Sequence, residues 1–72
     1  MRIVQVLHRN PEGDTWYPTA YVQLPGGRVL FERLEVTLAD LRENEHAIRD
    51  AEKLVRINLQ EKLDGIQNHP RD

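Results

Sequence analysis

Three histidines, twelve carboxylates and a complete lack of cysteine and serine bound the chemistry open to this chain. A structural zinc needs four soft ligands at short local spacings. His8, His46 and His69 are far apart and no thiol accompanies them, so no metal is expected. His46 and Asp50 lie one helical turn apart, where a carboxylate can orient an imidazole. Among so many charges the pair reads as a solvated polar contact. The usual nucleophiles are missing, and threonine without an adjacent base is not activated. Gly26-Gly27 lacks the Lys and Ser/Thr that follow the glycines of a phosphate loop. The expectation is a non-enzymatic chain with no cofactor.

Recognition is the remaining option, and charge decides between partners. Ten basic residues against twelve acidic leave a net charge of −2. A dedicated nucleic-acid binder carries a basic excess, because phosphate contacts dominate its affinity. Nucleic acid is therefore disfavoured relative to protein. Arg42, Arg49 and Arg56 recur every seven residues and share one side of a helix. Glu45 and Glu52 precede two of them by four residues, a spacing that supports a solvated face. No apolar run reaches the roughly 18 residues of a membrane span. The start, Met1 to Leu7, is too short and too interrupted by Gln5 for a signal peptide. A cytoplasmic location fits the lack of cysteine.

The elements that would position a binding surface follow from periodicity. Residues 2–8 are rich in β-branched side chains and read as a first strand. Asn10-Pro11-Glu12-Gly13-Asp14 is a turn. A second strand covers about 19–24, with Pro18 at its start because proline cannot donate to a ladder. Pro25-Gly26 suits the central positions of a type II turn. A third strand spans about 28–36. From Thr37 the period becomes helical. Thr37, with Asp40 three residues on, is one N-cap; Asn44 is another. A single-turn element followed by a main helix over about 44–64 is equally consistent. Gly65 and Pro70 mark the stop. The fold class is α+β: a three-stranded antiparallel meander packed on one long C-terminal helix. It forms a single domain over 1–66 with a flexible tail at 67–72.

Side-chain faces follow. Ile48, Ala51, Val55, Leu59 and Ile66 form the helix stripe that covers the sheet, flanked by Ala47, Leu54 and Leu63. Asn58 interrupts that stripe, either as a bond to the sheet edge or as a register-fixing contact between helices. On the second face of the sheet, Tyr21, Val29 and Phe31 cluster, with Gln5, Arg28 and Arg33 around them. Such a face suits a protein partner. The alternative is a nucleic-acid module, with Arg28 and Arg33 on phosphates and Tyr21 stacked on a base. Ile57, apolar among charges on the far side of the helix, adds a further contact. The expected partner-binding residues are Tyr21, Phe31, Arg33 and Ile57.

A chain of 72 residues buries only about 60% of its unfolded surface. Small domains usually compensate with a disulfide, a metal or a partner chain. The first two being excluded, a homodimer is expected.

The run Tyr21-Val22-Gln23-Leu24-Pro25-Gly26, preceded by a short strand and an acidic turn, resembles the N-terminal half of HicB-like antitoxins. The similarity continues through Thr37 to Ala51-Glu52-Lys53-Leu54-Val55. Gln23 stands where that family carries an acidic residue, and no DNA-binding segment follows. What the resemblance implies is a β-sheet-plus-helix module of bacterial or phage origin that dimerises and grips another protein. The role it suggests is that of an antitoxin-like protein or phage-encoded inhibitor, with no functional residue assigned.

Overall fold

The computed structural model describes residues 2–67. Strands β1 (Val4–Arg9), β2 (Thr15–Gln23), β3 (Val29–Arg33) and β4 (Val36–Thr37) precede helices α1 (Leu38–Glu43) and α2 (Ala47–Gln67). The sheet is antiparallel in the order β1-β2-β3, with β4 also pairing β2. This is the expected α+β meander against a long helix. No described helix is long and apolar enough to cross a membrane.

Glycine builds both hairpin turns. Gly13 and Gly26 take φ of 91° and 92°, a left-handed region that costs other residues energy. The Gly13 amide donates to the Asn10 carbonyl at 2.7 Å, and the Asn10 side chain accepts from Glu12. Gly26 is the third residue of the turn closed by the Gly27 amide on the Leu24 carbonyl at 3.1 Å, as a type II turn requires.

The middle strand differs from expectation. It begins at Thr15, four residues before the expected 19, and runs through Pro18 although it is the centre of the sheet. The register explains why this is tolerated. Thr19 lies opposite Arg33 and Trp16 opposite Val36, so β3 and β4 are one run in one register, interrupted at Leu34–Glu35. Leu34 donates to the Pro18 carbonyl at 3.1 Å, and the missing Pro18 amide removes the reciprocal bond. The expected third strand over 28–36 is thus split opposite its proline.

At the start of the helical half only one of the two expected N-caps serves as such: Asn44 is the C-cap of α1, and α2 begins at Ala47, not near 44. Thr37 and Asp40 form a reciprocal capping box on α1. Asn44 ends α1, and its side chain accepts from the His46 amide ahead of α2. Gly65 does not stop α2, which continues to Gln67; its φ is not among the positive ones. Of the tail expected at 67–72, residues 68–72 lie outside the described residues.

The core joins Ala20 and Val22 of β2 to Val55, Leu59 and Leu63 of α2, with Ile3, Leu24, Leu30 and Leu34 packed around it. Ala51 and Val36 are also buried. Leu63 is therefore central to the helix stripe, whereas Ile66 and Leu54 are exposed. Ile66, in the last turn of α2, is 49% exposed and takes no part in the buried cluster.

Candidate functional site: the open face of the sheet

Directly paired residues of an antiparallel sheet share a face, so the register lays out the side away from α2 in rows. Val4, Tyr21 and Phe31 form one row across β1, β2 and β3. Val6, Thr19 and Arg33 form the next, and His8 lies beside Tyr17. Gln23 and Val29 close the hairpin end. Among the described residues no element covers these rows. Phe31 is 58% exposed and Tyr21 37%, with Val29 and Val4 exposed beside them. The result is an apolar patch with an aromatic pair at its centre. The Arg33 guanidinium lies 4.9 Å from the centre of the Tyr17 ring, a cation–π distance that fixes one positive charge at the margin.

Two residues expected around this patch lie elsewhere. Gln5 pairs with Ala20 and is on the helix side. Its amide donates to the Glu52 carbonyl at 2.8 Å and accepts from Arg56 at 3.4 Å. The Arg28 carbonyl accepts from the Leu24 amide at 2.7 Å, so the two residues are partners, which gives Arg28 the parity of the helix side. Only Arg33 among the expected arginines borders the aromatics. Side-chain alternation carries this information, and for the first strand the sequence pattern was too uniformly apolar to assign it.

Tyr21, Phe31 and Arg33 are thus brought together, and Ile57 is not. Two residues beyond buried Val55, Ile57 points about 200° around the helix and is 53% exposed on the opposite side of the molecule. Asn58 is half-buried on the flank of α2, with no hydrogen bond from its side chain among the described residues.

The helix surface is otherwise solvated. Neither Glu45–Arg49 nor Glu52–Arg56 closes to an ion pair among the described residues; Arg56 turns instead to Gln5. His46 and Asp50 do not meet through their side chains. His46 lies 3.5 Å from Glu45, and Asp50 accepts from the Asn44 side chain at 2.9 Å. A shallow groove between β1 and α2 is lined by Gln5, Arg49, Glu52, Lys53 and Arg56. Among the described residues no group of three or more potential ligands could hold a metal. No family model, curated protein or solved structure matches this chain.

Proposed function

We propose that this chain is a non-enzymatic, cytoplasmic protein-binding module that works as a homodimer and grips its partner with the open face of the sheet. The observation that carries the reading is the exposed Tyr21–Phe31 pair, flanked by Val4 and Val29, on a face that no described element covers. Aromatic side chains on rigid strands are the residues that dominate protein interfaces, because they bury much area at little entropic cost. In this reading the module holds another protein as a HicB-like antitoxin or a phage inhibitor would. The alternative, base stacking on the same aromatics, has one bordering arginine, Arg33, in its favour and the net charge of −2 against it.

The double variant Tyr21→Ala/Phe31→Ala tests the choice. Both side chains are exposed, so the far-ultraviolet circular dichroism is expected to stay unchanged. A protein retained by the wild type is expected to bind the variant roughly 30-fold more weakly, the factor matching a hot-spot loss of about 2 kcal/mol. Affinity for a labelled single-stranded oligonucleotide that collapses as salt rises would instead select the nucleic-acid reading.

A further inference from the structure

We propose that the outer edge of β1 pairs antiparallel with the β1 of a second copy, about a two-fold axis at Leu7, so that two sheets become one. The inference rests on the homodimer in the reading above and names its interface.

The direction of the backbone groups comes first. Leu34 donates to Pro18, so the backbone groups of Pro18 face β3. Leu7 lies opposite Pro18, so its own amide and carbonyl point away from β2. Asn10 donates to Thr15 at 2.8 Å, which gives the even residues of β1 to β2 and leaves Gln5, Leu7 and Arg9 facing outward. Among the described residues no group hydrogen-bonds these outward amides and carbonyls. The other edge of the sheet is guarded. Lys62 of α2 donates to the Phe31 carbonyl on β3 at 3.4 Å while paired with Glu32. A lysine over a strand edge is a device against pairing; among the described residues none lies over the outer side of β1.

The packing agrees. The buried cluster takes nothing from β1, and Leu7 remains 46% exposed on the helix side. A strand that buries no side chain and bonds on one side has most to gain from a second neighbour. The sequence of β1 is also self-complementary. With the axis at Leu7, Leu7 meets its own copy, Gln5 meets the second copy's Arg9, and Val6 meets the second copy's His8. An axis one residue earlier would set polar Gln5 against Leu7. Because only one edge is free among the described residues, the assembly closes at two copies. The two open faces then lie on the same side of a continuous sheet, and the partner meets a doubled aromatic patch. Such an interface is small, at or below the roughly 1,200 Å² that separates weak from standard contacts, so the dimer is concentration-dependent.

The chain contains no cysteine, so a single Leu7→Cys substitution introduces its sole thiol. Hydrogen-bonded antiparallel partners stand about 5.5 Å apart at Cα, within the span of a disulfide. With oxidised glutathione at protein concentrations where the wild type sediments as a dimer, Leu7→Cys is expected to become mostly covalent dimer. Phe31→Cys and Ile57→Cys, at positions more exposed than Leu7, are expected to remain largely single chains. Leu7→Lys is expected to sediment as a single chain with unchanged circular dichroism. A wild type that stays a single chain at millimolar concentration would overturn the homodimer and this interface together. A dimer in which Leu7→Cys crosslinks no better than Phe31→Cys would overturn the interface alone.

Discussion

Thr37 and Asp40 show how much one residue pair can settle locally. The Asp40 carboxylate accepts the Thr37 amide at 2.8 Å, and the Thr37 hydroxyl accepts the Asp40 amide at 3.2 Å. The Thr37 amide, and then its hydroxyl, hold the Asp40 carboxyl below the ordinary carboxylate range. An acid depressed in the folded state stabilises that state above its unfolded pKa, and the contribution is lost as pH falls through the folded value. Asp40→Asn keeps an acceptor for the Thr37 amide but cannot titrate. The expected outcome is that melting temperature falls less steeply on acidification for Asp40→Asn than for the wild type, with the two curves parallel near neutrality. Parallel curves across the acid limb would show that the box does not respond to protonation. At this scale the sequence was legible, because Thr followed three residues later by an acid reports a mechanism and not a tendency.

Among the elements, α2 is the one whose boundary misled. Gly65 reads as a stop because glycine is enriched just past helix ends. Here it sits inside the helix, and a Cβ built on it would meet nothing within 4 Å. Replacing it should only reduce the freedom of the unfolded chain. Gly65→Ala is expected to stabilise the protein by about 0.5–1 kcal/mol, read from the midpoint of urea unfolding. Destabilisation would mean that the last turn depends on the glycine. The two departures in α2 and β2 share a cause. Glycine and proline mark local preferences, while the ladder and the core decide whether those preferences are overruled. Pro18 could be read as non-donating but not as buried at the centre of the sheet, since that depends on which strand lies on its silent side. The candidate face was legible for β2 and β3, where apolar and polar residues alternate around Tyr21 and Phe31, except that Arg28, just before β3, was placed on it against that same alternation. It was not legible for β1, whose Val4, Val6 and Leu7 occupy both parities, and Gln5 was misplaced there for that reason.

Over the whole molecule, apolar surface is distributed unevenly and the two sheet edges are treated differently. The buried residues are mostly small, and Leu59 is the largest of those fully enclosed. Phe31 and Tyr21 on the sheet, which are larger, and Leu7 at its rim, which equals Leu59 in size, stay in solvent. In the proposed dimer a sheet with one free edge pairs once; with two free edges it would pair without end. The group proposed to limit it is Lys62, whose ammonium donates to the Phe31 carbonyl and pairs with Glu32 at the outer side of β3. Surface lysines rarely contribute much to folding, so Lys62→Ala is expected to melt within about 0.5 kcal/mol of the wild type. Its effect belongs to assembly. With the β3 edge uncovered, Val29 and Phe31 lie along an open strand, and light scattering is expected to show Lys62→Ala growing past two copies as concentration rises. The same measurement on the wild type is expected to level off at two. If Lys62→Ala also levels off there, the rest of α2, and not its lysine, guards the second edge.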